Sequence, residues 1–277
     1  MRLLAVLIAG SMAVACGTKT ETADAGVDAG FDAGPPAPTC LVDTIDAGPG
    51  DAGWDGGYDY SCRGRAPVMG GQAEFVLSGK VTKAGLTRTR LSGIQVDLLR
   101  ADGGVLATTR SDDAGLYRLT FDAGCQKVDG EVRATHPSPD AGYYLSYSVP
   151  SAPWTRDRSE LELILFDVST SMLAAAFAGV TVVDGTAVLA LSVVDCAGNP
   201  VEGAVVSTAG AVGTVRYVGA SGLPSNSATV TSASGNVIIF NLPGVDVDVS
   251  ATVDGGTIGQ RVVVVHPNAA SGTTLTP

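Results

Sequence analysis

From about Phe75 onward, apolar and polar positions alternate with a period of two. Ile94, Val96 and Leu98 alternate with Gln95 and Asp97, and Tyr117, Leu119 and Phe121 alternate with Arg118 and Thr120. That spacing puts one set of side chains on each face of an extended strand. "RADGG" separates the first run from Val105–Thr109, and Asp-Gly between two β-prone runs marks a turn. Glu131–Thr135, Tyr143–Val149 and Leu161–Leu165 continue the pattern. About seven short strands in roughly ninety-five residues predict a sandwich. The period then changes. "STSMLAAAFAG" over 169–179 predicts a short helix with a Ser or Thr cap and a trailing Gly. A second β-rich block follows. Its clearest strand is Val245–Val253, which turns Asp246 and Asp248 to water, and "RVVVV" at 261–265 reads as a strand covered on both faces. The expected fold is all-β: tandem β-sandwich domains at 72–168 and 186–277, joined by a connector at 169–185.

The first residues have a different character. Met1-Arg2, the apolar run Leu3–Ile8 and the small residues before Cys16 form a secretory signal over 1–15. "AVAC" at 13–16 resembles the bacterial lipobox, although that motif's usual Leu is Ala13 here. The resemblance implies cleavage before Cys16, a thioether-linked diacylglyceryl group on its thiol and an acylated (palmitate-type) amine. Several acyl chains on one residue anchor a protein stably where a single chain does not. The implied location is the outer membrane of a Gram-negative bacterium, on its periplasmic or outer face. Residues 16–71 carry repeated "DAG" units and, between 17 and 65, nine acids against three bases. Such a segment buries too little surface to fold, and reads as a disordered spacer. Similar Asp-Ala-Gly runs occur in the spacers of lipoproteins from GC-rich bacteria. The formal net charge of −11 argues against nucleic-acid binding, because phosphate backbones repel it.

The two β blocks share an order of features. Gly93 before Ile94-Gln95-Val96 corresponds to Gly203 before Ala204-Val205-Val206, and Gly115 corresponds to Gly235. The separation from the first glycine to the second is about ten residues longer in the second block, which a loop insertion reconciles. "CAGNPVEGAVV" and "TSASGNVIIFNLP" resemble the carboxypeptidase regulatory-like domain, a transthyretin-like β-sandwich. The first block follows the pattern with "LSGIQVDLL" and "TTRSDDAGLYRLTF" but lacks the proline. The resemblance implies fold and says little of function. Some relatives of this fold carry Lys–Asn cross-links. Here every Asn lies in the second block and every Lys before it, so within one block only a Lys–Asp version remains open.

Catalytic patterns are missing. His136 and His266 belong to no zinc motif, and no nucleophile elbow or phosphate loop is present. No metal or other cofactor and no enzymatic activity is expected. An oxidising exterior implies disulfides among Cys40, Cys62, Cys125 and Cys196. Of three connectivities, Cys40–Cys62 with Cys125–Cys196 would close a local loop and staple the two blocks. "YYLSYSVPSAPW" offers Tyr143, Tyr144, Tyr147 and Trp154 as a contact surface for a glycan or peptide. The function expected is a non-catalytic, lipid-anchored envelope protein whose modules serve structural, adhesive or assembly roles. The alternative is a carbohydrate- or peptide-binding receptor.

Overall fold

A computed structural model describes residues 58–62, 71–85 and 88–277. The signal, Cys16, Cys40 and most of the expected spacer lie outside the described residues. The first block forms β1 (Glu74–Lys83), β2 (Gln95–Arg100), β3 (Val105–Arg110), β4 (Leu116–Asp122), β5 (Gly130–Thr135), β6 (Leu145–Val149) and β7 (Arg158–Leu165). Helix α1 (Val168–Phe177) follows. The second block forms β8 (Ala187–Val193), β9 (Val205–Thr208), β10 (Thr214–Val218), β11 (Pro224–Ser225), β12 (Asn236–Leu242), β13 (Asp246–Val253), β14 (Gly256–Val264) and β15 (Ala269–Leu275). The fold is an all-β sandwich architecture, as the period-two pattern implied.

Three sheets carry it. One has the order β4-β1-β7, another β14-β13-β9, and a nine-stranded sheet runs β11-β10-β12-β8-β15-β6-β5-β2-β3. The long sheet belongs to both blocks, because β15 pairs in parallel with β8 on one side and with β6 on the other. Directly paired residues share a face. Thr108, Asp97, Arg133, Tyr147, Ser271 and Leu189 therefore form one row across the sheet. Leu189 lines the second core, whereas the first core uses the alternate residues Val96, Leu98, Val132 and Ala134. The two cores thus lie on opposite faces of the common sheet. Each half is left with a back that its own partner sheet does not cover. Behind the second half, Ile238, Phe240 and Val218 are covered by Ala175 of α1 and by Ala178, which caps its C-terminus.

The internal repeat is explicit in the hydrogen bonds. Ser111 Oγ accepts from Ile94 N at 3.0 Å and donates to Leu91 O at 2.8 Å. Thr231 Oγ1 accepts from Ala204 N at 2.8 Å and donates to Val201 O at 2.7 Å. The partners are 17 residues apart in the first block and 27 in the second, so the ten-residue insertion is real. Gly115 and Gly235 both have positive φ, +72° and +65°. A Cβ on Gly115 would meet Arg90 Cβ at 2.7 Å, and one on Gly235 would meet Val193 O at 2.5 Å, so both turns need glycine. The first strands, β1 and β8, each pair antiparallel with the strand after that glycine and in parallel with the last strand of the block. The two blocks differ at one strand: β3 pairs with β2, whereas β10 crosses to pair with β12. The inserted residues supply the length for that crossing.

Three local expectations need correction. The cap of α1 is Asp167 rather than a Ser or Thr, and it accepts from Thr170 N at 2.9 Å. A carboxylate there also accepts hydrogen bonds from the hydroxyls of Ser169 and Thr170, and it faces the positive end of the helix. The "RVVVV" strand is covered on one face only. Val263 is buried, but Val262 is 57% exposed, because β14 is paired only with β13 among the named strands and its outer face meets water. Residues 58–62, placed within the spacer by sequence, are docked on the second block. Tyr58 and Tyr60 pack against the second core, Cys196 N donates to Asp59 O at 2.7 Å, and Glu202 N donates to Tyr58 Oη at 3.0 Å.

Candidate functional site

The back of the first half of the common sheet carries a dense polar network. Asp97 on β2 is only 1% exposed. Its carboxylate accepts from Thr108 Oγ1 at 2.6 Å, Gln95 Nε2 at 3.0 Å and Arg133 Nη2 at 2.7 Å. Asp97 lies on the face of β2 opposite the first core, in the row with Thr108 and Arg133. Burial by itself would raise the Asp97 carboxyl, but the hydrogen bonds from Thr108, Arg133 and Gln95 and the Arg133 charge outweigh it and hold the group below its ordinary range. The same contacts hold the Arg133 guanidinium protonated.

One step further along the network, His266 reaches over from the connection between β14 and β15. Its Nε2 lies 2.7 Å from Glu131 Oε1 on β5, and its ring stacks on Tyr147 with centroids 3.9 Å apart. Leu99, Tyr147 and Ala269 complete the contact as a small apolar cluster. Burial pushes the Glu131 carboxyl up, and the attraction of His266 and Arg133 offsets this only in part. Burial likewise raises the Tyr147 hydroxyl. The ladder between β6 and β15 crosses the same seam, reinforced by Thr273 Oγ1 donating to Val149 O at 2.8 Å. The network joins groups up to 135 residues apart and satisfies them mutually. Chemically it is a clasp between the two sandwiches.

The proposed aromatic surface is dispersed. Trp154 is 6% exposed and belongs to the first core. Tyr147 is 8% exposed, with one face against His266. Tyr143 is half-buried, stacked on His136 at 4.9 Å with the Lys83 ammonium 5.7 Å from its ring. Tyr144 is half-buried, and burial together with the nearby Asp184 raises its hydroxyl. The four rings thus sit in different settings, two of them buried and two half-buried.

The disulfide expectation is overturned in its pairing. Cys62 bonds to Cys196, with a Cα–Cα distance of 5.5 Å, rather than to Cys40. Cys125 is disulfide-bonded too, but not to Cys196. The reason is the docking of residues 58–62: Asp59 N donates to Asp195 Oδ2 at 3.1 Å, which carries Cys62 to the turn after β8. Among the three connectivities that the sequence left open, chain proximity favoured Cys40 as the partner of Cys62.

The open Lys–Asp cross-link finds no chemistry. Lys83 Nζ is 3.4 Å from Asp167 Oδ2. Burial would raise that carboxyl, but hydrogen bonds from Ser169 and Thr170 and the Lys83 charge hold it down at about 2. An ionised carboxylate that caps a helix is a poor electrophile. Among the described residues, no group of three His, Cys, Asp or Glu side chains is placed to hold a metal ion. Among the described residues, a small apolar cleft of about 30 Å³ lies between α1, the residues Ala84, Gly85 and Arg88, and the back of β8 and β12. It has room for about two water molecules.

No family model and no curated protein matches this sequence. Among solved structures, this chain is weakly similar to the Bacillus anthracis TIE protein, at 13% identity and a TM-score of 0.23, covering 74% of this chain and 34% of that one. A streptococcal ancillary pilin matches at 10% identity and a TM-score of 0.22, covering 74% of this chain and 63% of that one. A shaft pilin from Lactobacillus rhamnosus GG matches at 12% identity and a TM-score of 0.21, over 74% of this chain and 98% of that one. The chain thus spans about a third of the first of these and under two thirds of the second. The assignment to the all-β sandwich class rests on the sheets and cores described above.

Proposed function

We propose that this chain is a non-catalytic, lipid-anchored cell-envelope protein that displays two carboxypeptidase regulatory-like sandwiches as a single stiff body in a structural, adhesive or assembly role. The observation that carries this reading is the clasp. Across the seam His266 of the second sandwich meets Glu131 of the first, while Asp97 on Arg133 fixes the first sandwich's side of it. A common sheet, a clasp and a disulfide between residues 134 apart suit a part that must keep its shape. Cys16 supplies the anchor, the acidic segment supplies the tether, and the tether enters the body on the second sandwich at residues 58–62.

The test is expression of the wild type and Cys16→Ser in a Gram-negative host with detergent phase separation. The wild type should enter the detergent phase, carry a labelled acyl chain and lose residues 1–15, and Cys16→Ser should do none of these. A wild type that stays in the aqueous phase ends the anchoring part of the reading. A mutually exclusive result for the modules would be hydrolysis or group transfer by the purified protein that survives in the absence of any other chain.

A further inference from the structure

The chain has five cysteines, and the bond between Cys62 and Cys196 uses two of them. Cys125, in the turn between β4 and β5, is disulfide-bonded as well. Its partner is therefore Cys16 or Cys40, both outside the described residues. The choice between them rests on the anchoring reading above: a thioether on the Cys16 sulfur leaves it no thiol, and Cys40 remains. The route of the chain suits that partner. Residues 58–62 dock on the second sandwich, yet soon after Cys62 the chain lies beside Cys125 on the first. Gly71 N donates to Cys125 O at 3.1 Å, and Gln72 N donates to Thr155 O at 3.0 Å. About nine residues from Cys62 to Gly71 reach at most about 32 Å, so the two sites are no further apart than that and one hydrogen bond. About twenty-two residues lead from Cys40 to Cys62 and extend to about 75 Å, twice what the gap demands.

We infer that Cys125 is bonded to Cys40, so that residues 40–62 are a covalent strap with one end on each sandwich. The two bonds interleave along the chain, and each loop holds one cysteine of the other. The connector through α1 joins the sandwiches once. The stretch from Cys62 to Gly71 joins them again through the Cys62–Cys196 bond, and the strap adds a third covalent crossing. A pull from Cys16 then enters the body at Cys125 on the first sandwich and reaches residues 58–62 only behind that bond. The bond forms by thiol–disulfide exchange with an oxidising disulfide of the envelope. The thiolate of one cysteine attacks that disulfide and expels one thiol, and the second thiolate displaces the other thiol from the mixed disulfide. The two cysteines lose two electrons and two protons, and the oxidant leaves as two thiols.

The test uses the full mature chain from the envelope, with free thiols blocked by N-ethylmaleimide and no reductant. Digestion with trypsin and a protease that cuts before Asp, followed by mass spectrometry, should yield peptide 32–42 bonded to 122–127 and peptide 59–63 bonded to 195–216. In a second arm a protease site is inserted after Gly50 and cut. On a denaturing gel the cut chain should run as one species without reductant and release its N-terminal piece with it. Cys40→Ser with Cys125→Ser should release that piece on cutting alone. Recovery of peptide 32–42 with the maleimide on Cys40, or loss of the N-terminal piece from the cut wild type without reductant, overturns the strap. Peptide 122–127 bonded to a peptide of Cys16 overturns it together with the anchoring reading. An unacylated Cys16 beside an intact bond between 32–42 and 122–127 overturns the anchoring reading alone, so either idea can fail without the other.

Discussion

The Cys62–Cys196 bond offers the sharpest test of how the body is held together. The perturbation is the double substitution Cys62→Ser with Cys196→Ser, which leaves no free thiol. The bond closes a loop of 134 residues that contains the whole first sandwich. If both sandwiches unfold together, closing a loop of that length removes about 5 kcal/mol of unfolded-state entropy. If the first sandwich stays folded while the second opens, only the connecting stretches, about forty residues, are free, and the figure falls to about 4 kcal/mol. Strain and residual structure usually lower such values, so a loss of 2–4 kcal/mol is the expected result. The assay is urea unfolding under non-reducing conditions, with Trp154 fluorescence reporting the first core and far-ultraviolet circular dichroism reporting all strands. The mutant should lose midpoint concentration chiefly in the transition that Trp154 does not follow. Tyr58→Ala is the control, because it removes a contact with the second core while the loop stays closed. If Tyr58→Ala costs as much as the double substitution, docking contacts carry the stability and the loop argument fails. A mutant within 0.5 kcal/mol of wild type refutes it directly.

Asp167→Ala should cost 1–2 kcal/mol at pH 7 through loss of the cap. The Asp167 carboxyl is held at about 2, below its ordinary 3.8, so its stabilisation is present above pH 4 and disappears as pH falls toward 2; acid unfolding curves of wild type and mutant should therefore converge there. Glu131 has the opposite sign: its folded carboxyl is raised, so its ionised form is a cost at neutral pH, and Glu131→Gln, which keeps a hydrogen-bonding partner for His266, should leave stability at pH 7 unchanged or raise it by up to about 1 kcal/mol. A loss above 2 kcal/mol by thermal melting would show that the ion pair itself holds the seam. Gly235→Ala should cost more than about 2 kcal/mol in urea titration, because a positive φ and a carbonyl 2.5 Å from the new Cβ act together. Thr231→Val and Ser111→Ala should each cost about 1–3 kcal/mol by leaving a buried backbone N–H unpaired, and a large difference between them would argue against equivalent roles in the repeat.

Much of the fold was written in local patterns. A period of two, Asp-Gly turns and β-branched runs define strands through neighbouring residues, so β2 to β5 and β13 stand close to where alternation put them. The equivalence of Gly115 with Gly235 was also legible, because a turn that demands positive φ leaves a glycine in the sequence. Alternation could not say which strand lies beside which, and two misreadings have that source. Nor could it say that the sandwiches sit on opposite faces of one sheet, which makes the row through Asp97 a buried seam. The valines at 262 and 264 were taken as doubly covered, since an apolar run looks the same at an edge as in a centre. Cys62 was given to its sequence neighbour, because chain proximity is the one distance a sequence supplies, whereas the hydrogen bonds of Asp59 decide that it meets Cys196. The sequence by itself determined the strands, their turns and the duplication. The tertiary structure decided the parallel pairing of β15 with β6, and with it which charges are buried, which helix face is left exposed and where residues 58–62 dock. These depend on contacts between residues more than a hundred positions apart, which no local period encodes.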